Sequence, residues 1–296
     1  MIPGLTSVII VAADSGPLLR RCVGGALASD APVEVILVDN ASADGELEGI
    51  ESSHANDPRL HVLRNAANIG FGPACNRGAA VAHGDVLVFL NPDCELPPTF
   101  VRAARTCIDS HADIGLLGVT VCEADGTPAR GNRRRDPSLR RALASVTGLA
   151  HLESRWPALA GVEMPACVGT PASIEAVEAV SGACMALPRF VFEQLRGFDE
   201  GYFLHAEDLD LCRRVRDAGF QVAIAHALRV VHVRGSSSRH RPVFVARHKH
   251  RGMWRYFCKF DPAARNGFAR RLVYAGLWLH FGATLPVLIA RKLRTS

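Results

Sequence analysis

The sequence predicts an α/β protein in which a mostly parallel sheet is flanked by helices and followed by a helical carboxyl-terminal tail. Three observations carry this prediction. Val8 to Val11, Val33 to Val38, Leu60 to Leu63 and Val86 to Leu90 are short apolar runs rich in β-branched residues, continuous rather than alternating, as strands buried on both faces are. Segments suited to helices separate and follow them at Leu18 to Ala28, Leu47 to Ser53, Pro73 to Ala82 and Pro98 to Ile108, which gives the βαβ rhythm of parallel strands. The 296 residues are 48% hydrophobic and 21% charged, enough for a large core and unlike a disordered or fibrous chain.

In such a sheet ligands collect beyond the carboxyl ends of the strands. The first candidates are therefore Ala12-Ala13-Asp14, Asp39-Asn40-Ala41-Ser42, Arg64-Asn65 and Asn91-Pro92-Asp93. The turn after the first strand reads Ala12-Ala13-Asp14-Ser15-Gly16-Pro17 rather than GxGxxG, and GxxxxGK[ST] occurs nowhere. Neither glycine-rich phosphate cradle is present, so a bound phosphate has to be held by a metal or by basic side chains. Asn91-Pro92-Asp93 offers a carboxylate on a proline-stiffened turn, a suitable ligand for Mg²⁺ or Mn²⁺; taken alone, the tripeptide is equally an ordinary turn. Ahead of that strand, Asn65, Asn68, Gly70, Gly72 and Asn76 form a polar, glycine-containing loop that a ligand can approach through the backbone.

The second half holds an acidic knot. Asp199, Glu200, Glu207, Asp208 and Asp210 lie within twelve positions of a chain whose formal net charge is +5. Crowded carboxylates occur where a cation binds or where one of them accepts a proton. They also occur at helix starts, where the macrodipole favours them, and Leu209, Cys212 and Val215 fit a buried helical face that closes at Gly219.

Five segments then come in a telling order: Val38-Asp39-Asn40-Ala41-Ser42-Ala43-Asp44-Gly45; Asn68-Ile69-Gly70-Phe71-Gly72 with Asn76-Arg77-Gly78; Leu90-Asn91-Pro92-Asp93; Ser181-Gly182-Ala183-Cys184-Met185; and Gly197-Phe198-Asp199-Glu200 with Glu207-Asp208-Leu209-Asp210-Leu211. Over residues 5 to about 240 the chain resembles the family 2 glycosyltransferases, most closely the rhamnosyltransferase-like branch that builds bacterial cell-surface polysaccharide. The resemblance implies a GT-A fold over residues 1–240, with a nucleotide-binding half to about 120 and an acceptor half from 121 to 240. Residues 241–296 would then be a basic and apolar helical extension.

The resemblance also implies a metal-dependent, inverting transfer of a sugar, rhamnose in that branch. The donor is a nucleoside diphosphate sugar, and the acceptor is a hydroxyl of a cell-surface glycan or lipid-linked precursor. Carried over residue by residue, Asp39 bonds the pyrimidine base, and the loop bearing Asn68, Gly70 and Asn76 holds the nucleoside. Asn91 fills the first place of a DxD-type motif whose Asp93 holds Mg²⁺ or Mn²⁺. His232 completes the metal shell or touches the diphosphate, and Arg234 with the Ser236-Ser237-Ser238 run lies over the phosphates. Asp208 is the base and Glu207 orients it or the acceptor. The residue types suit that chemistry, because an acceptor hydroxyl needs a base while a metal meets the charge growing on the leaving diphosphate. The chain departs from the pattern at Ala12-Ala13, where relatives carry Asn or Tyr, and Asp14 is the available substitute.

Other segments complete the expectations. Arg133-Arg134-Arg135 reads as a solvated basic loop, with an anionic acceptor such as a lipid-linked diphosphate as the alternative. Leu272 to Ala290 is nearly all apolar, interrupted by His280 and broken by Pro286, and flanked by Arg270-Arg271 and by Arg291, Lys292 and Arg294. With Tyr274 and Trp278 it is expected to lie in the inner membrane surface rather than to span the membrane or close the core. Nine cysteines, with no CxxC pair and no cleavable signal sequence, point to a reducing cytosol without disulfides. The expected location is cytoplasmic, peripheral to the inner face of the cell membrane. Only 6% of residues are aromatic, which argues against nucleic acid as a partner, and a homodimer is left open. The competing function is a GT-A-like nucleotidyltransferase or a non-catalytic sugar-nucleotide-binding domain. Neither would require Asp208, and a nucleotidyltransferase would need a basic loop after the first strand, where no Lys or Arg precedes Arg20.

Overall fold

The computed structural model describes residues 1–164, 174–233 and 241–295. Strand and helix alternate through the first half: β1 (Ile2–Ala12), α1 (Leu18–Leu27), β2 (Val33–Asp39), α2 (Glu46–Ser53), β3 (Leu60–Arg64), α3 (Phe71–Val81) and β4 (Gly84–Leu90). There follow β5 (Cys94–Glu95), α4 (Phe100–Asp109), β6 (Ile114–Cys122), β7 (Arg133–Arg134), α5 (Leu139–Val146), β8 (Ile174–Ala176), β9 (Ala179–Val180) and β10 (Cys184–Pro188). The remainder is α6 (Arg189–Gln194), α7 (Glu207–Asp217), β11 (Gln221–His232), α8 (Pro242–Phe260) and α9 (Gly267–Thr295).

Nine strands form one sheet in the order β3-β2-β1-β4-β10-β6-β11-β5, with β8 also on β11, while β7 and β9 pair apart from it. β1 to β4, β6 and β11 point one way, and β10, β5 and β8 run against them. Because successive side chains point to opposite faces, the continuous apolar runs fill two cores at once. Val8, Ile10, Val35, Leu37, Val86 and Val88 meet α1 and α4 on one face, whereas Ile9, Val11, Ile36, Val38, Leu87 and Phe89 meet α3, α6 and α7 on the other.

The four strands and four helices expected in the first half appear with ends shifted by a few residues. β6 is a central strand to which the sequence reading assigns nothing, although all nine of its residues are buried. Gly115 and Gly118 interrupt its β-branched pattern, for a packing reason. A Cβ on Gly118 would stand 2.4 Å from Val180 Cβ, and one on Gly115 2.5 Å from Phe220 Cβ.

The helix expected after the acidic knot is α7, ending before Gly219, whose φ is +90°. At the carboxyl end α9 runs through Pro286 rather than stopping there. The proline is on the exposed side, where water can satisfy the carbonyl it leaves without a partner. The apolar stretch Gly267–Ala290 contains no buried residue, which removes the reading of this segment as a core helix.

Candidate active site

The carboxyl ends of β1, β2 and β4 and the amino end of α7 converge, and loops tie them together. At the end of β2, Asp39 is buried and accepts the Ser42 amide at 3.1 Å, which shapes its own turn. Asn40 donates to the Gly70 carbonyl at 3.1 Å and accepts from Asn65 at 2.6 Å, and Arg77 donates to Asn65. Asn68 accepts the Gly70 amide at 3.0 Å. Asp39, Asn68 and Gly70 therefore belong to one bonded lip. Gly70 (φ +96°) has to be glycine, since a Cβ there would lie 2.6 Å from the Phe203 carbonyl oxygen.

Asn76 plays a different part in the geometry. Its amide accepts from Phe198 N at 2.8 Å and donates to the Phe198 carbonyl at 3.0 Å and to Glu200 at 3.1 Å, fastening α3 to the acidic segment. Asp14, the available substitute at the first strand end, adopts a left-handed φ of 52° and accepts the Ala43 amide at 2.8 Å.

Across the sheet, Asp93 follows β4 and His232 closes β11, with His232 paired in register to Cys94. Asp93 Oδ1 and His232 Nε2 are 2.9 Å apart, and the Cys94 thiol completes a group whose ligand atoms lie within 4.8 Å of one another. Burial, before other causes, pushes the Cys94 thiol well above its ordinary value, and its Sγ approaches the Ala183 carbonyl at 3.5 Å. Asp93 and His232 offer one carboxylate and one imidazole, and the carboxylate suits Mg²⁺ or Mn²⁺. Arg234 and the serine run after it lie outside the described residues.

The loop Ser181-Gly182-Ala183 joins the two sides. Ala183 accepts the Asn91 amide at 2.8 Å, while the Gly182 amide donates to Asp208 Oδ2 at 3.1 Å. A Cβ on Gly182 would press on Asp208 at 3.0 Å, so this position favours glycine. Asp208 begins α7 beside Glu207, after two non-glycine residues of positive φ, His205 (68°) and Ala206 (71°). Consecutive left-handed residues cost energy and cluster at functional sites.

The carboxylates of the acidic knot differ in their partners. Asp199 is paired with Arg255 at 2.7 Å and Lys259 at 2.8 Å, and its carboxyl is held at about 2: burial raises it, but these hydrogen bonds prevail. Asp210, wholly buried, pairs with Arg214 at 2.5 Å and Lys259 at 2.6 Å. With Glu200 on Asn76, these three organise the turn and the helix. Asp208 instead pairs with Arg134 at 2.5 Å. Burial raises its carboxyl, yet the Arg134 charge and hydrogen bond and the Leu209 amide hold it below its ordinary value.

Arg134 escaped the sequence reading. The Arg133 to Arg135 run is not a solvated loop: Arg133 pairs with Glu175 at 2.5 Å, Arg134 with Asp208 and Arg135 with Glu153 at 3.0 Å. Asp136, next along, takes Arg213 at 3.1 Å, Arg216 at 2.5 Å and the Tyr256 hydroxyl at 3.1 Å. It locks this strand to α7 and α8. Spacing alone does not report partners that far apart in sequence.

Comparison with known proteins agrees with this geometry. Residues 7–164 match the model of Glycosyl transferase family 2. The chain is 28% identical, over 84% of its length and 86% of the relative's, to an N-acetylglucosaminyl-diphospho-decaprenol L-rhamnosyltransferase of Mycobacterium tuberculosis. Among solved structures it is similar to the mannosyltransferase PcManGT of Pyrobaculum calidifontis in complex with GDP-Man and Mn²⁺, at TM-score 0.57 and 19% identity, covering 97% of this chain and 73% of that one. It is also similar to GalNAc-T7 with UDP, GalNAc and Mn²⁺, at TM-score 0.60 and 19% identity over 77% of this chain and 43% of that one. These likenesses bear out the GT-A fold. The chain belongs to glycosyl transferase family 2 and is a glycosyltransferase.

Proposed function

We propose that the enzyme transfers a hexosyl group, rhamnose in the first instance, with inversion, from a nucleoside diphosphate sugar to a hydroxyl of a lipid-linked or cell-surface glycan precursor. The observation that carries this reading is the 181–183 loop, bonded on one side to the Asn91 turn and on the other to Asp208. Such a bridge lets one cleft hold a donor diphosphate on the Asp93 side and an acceptor hydroxyl on the Asp208 side. The Mycobacterium tuberculosis relative, by its name, acts on a diphospho-decaprenol carrier, which supports a lipid-linked acceptor here.

In the proposed reaction the acceptor oxygen bonds the anomeric carbon on the face opposite the diphosphate. The bond to the phosphate oxygen breaks, and the nucleoside diphosphate leaves with that electron pair. Asp208 takes the hydroxyl proton, with Glu207 beside it to orient the acceptor. Asp39, Asn68, Gly70 and Asn91 line the donor side, Asn76 braces it, and Arg234 is assigned to the diphosphate. Asp93 and His232 would hold Mg²⁺ or Mn²⁺, which supplies Lewis-acid stabilisation to the leaving diphosphate when bound. Residues 1–240 form the catalytic unit in this reading. Residues 241–296 rest peripherally on the inner face of the cell membrane, on the cytoplasmic side.

The test is a panel of nucleoside diphosphate sugars assayed for release of nucleoside diphosphate with Mg²⁺ or Mn²⁺. Turnover should vanish with EDTA and fall at least about a hundredfold in Asp208→Asn. Full turnover by that variant would overturn the assignment of the base, whatever the donor.

A further inference from the structure

Arg134 bonds the proposed base, and its surroundings define what it does there. Asp208 receives three donors: Arg134 Nη2 at 2.5 Å and Gly182 N at 3.1 Å on Oδ2, and Leu209 N at 2.8 Å on Oδ1. All three favour its ionised form. Glu207, adjacent and 7% exposed, has an Oε2 that is buried with no hydrogen-bond partner. A buried carboxylate oxygen without a donor is costly as an anion and tolerable as a neutral acid. Two neighbouring carboxyls that differ this much in support do not share a proton evenly.

We propose that Arg134 is a positioning residue that fixes the single proton of the Glu207–Asp208 pair on Glu207, leaving Asp208 ionised to receive the acceptor's proton. The inference rests on the reading of Asp208 as base. The fold holds Arg134 firmly in place. It lies in β7, its Nη2 also reaches the Val180 carbonyl, and Asp136 two residues on is locked by Arg213, Arg216 and Tyr256. The charged and titratable groups around the pair are Arg134 from β7, His205 from the preceding turn, Cys212 on α7 and Cys75 from α3; Lys249 and His248 of α8 face His205. Arg134 is the one that both bonds and opposes the charge of Asp208. The directions agree: burial, then the charge of Asp208, pushes Glu207 up, while Asp208 is held down.

The experiment is a ¹³C carboxyl titration of the full chain by NMR, with signals assigned through Glu207→Gln and Asp208→Asn. In the wild type Asp208 should titrate below the ordinary aspartate range and Glu207 above the ordinary glutamate range. The reverse order overturns the proposal without any further variant. Arg134→Gln should raise the Asp208 midpoint by about one to three pH units, and Arg134→Lys by less, since it keeps the charge. An Asp208 midpoint unmoved in folded Arg134→Gln would also overturn it. Full turnover by Asp208→Asn would instead remove the base and leave the proton partition standing, so the two failures are distinguishable.

Discussion

Two effects add at Glu207. Burial is the larger and the charge of Asp208 the second, and together they push its carboxyl from 4.5 up to about 8. The unfolded chain releases this proton near the ordinary value while the folded chain keeps it, so the folded state binds more protons between those limits. Stability from this group is therefore full below about pH 4.5 and lost as pH rises to about 8. Glu207→Gln removes the titration and keeps the shape. The expected outcome is a Tm difference, variant minus wild type, that grows in the variant's favour from about pH 5 to about pH 8. Parallel Tm profiles over that range would show that Glu207 ionises normally in the fold.

Among the elements, α8 is the brace of the acidic segment. Lys259 bridges Asp199 and Asp210, Arg255 grips Asp199 and stands 5.3 Å from the centre of the Tyr202 ring, and Phe203 meets Phe244 edge to face and packs on His248. Lys259→Met should leave Asp210, at no exposure to water, with Arg214 as its one ion pair among the described residues, and lower stability by about 2 kcal/mol in urea unfolding. A loss under about 0.5 kcal/mol would mean that the bridge contributes nothing beyond Arg214. Such braces also explain what was legible in the sequence. β1 to β4 and their helices were readable because their signal is local: runs buried on both faces, with polar residues at the strand ends. Asp39 and Asp93 stand at strand ends and Asp208 in the first turn of α7, so their positions are legible locally, whereas the roles proposed for them come from the resemblance. β6 was hidden because its glycines answer to Val180 and Phe220, and Arg134 because its partner lies 74 residues away. Tertiary partnership leaves no periodic trace.

For the whole molecule, the remaining question is how α9 meets its surroundings. Gly267–Ala290 has a mean hydropathy of 1.7 over its apolar window, and its 24 residues, at about 1.5 Å each, are long enough to cross a bilayer. Its contacts argue against crossing. α9 packs along α8 through Trp254 on Tyr274 and His250 on His280, an antiparallel pairing in which His250 Nε2 and His280 Nδ1 are 3.0 Å apart. A spanning α9 would take α8 into the hydrocarbon with Arg247, Lys249, Arg251, Arg255 and Lys259, at a cost of several kcal/mol. Lying flat avoids that cost. Phe268, Leu272 and Leu279 are 77%, 63% and 74% exposed and recur at helical spacing on one face, with Arg270 and Arg271 exposed beside them. Wild-type protein should therefore sediment with vesicles of phosphatidylglycerol and phosphatidylcholine, and less so at high salt. Replacing Leu272 and Leu279 together by Glu, at positions that touch water rather than core, should lower the bound fraction severalfold while leaving Tm unchanged. Equal sedimentation of the two proteins would detach this helix from the membrane, and release of both by alkaline carbonate would separate surface attachment from spanning.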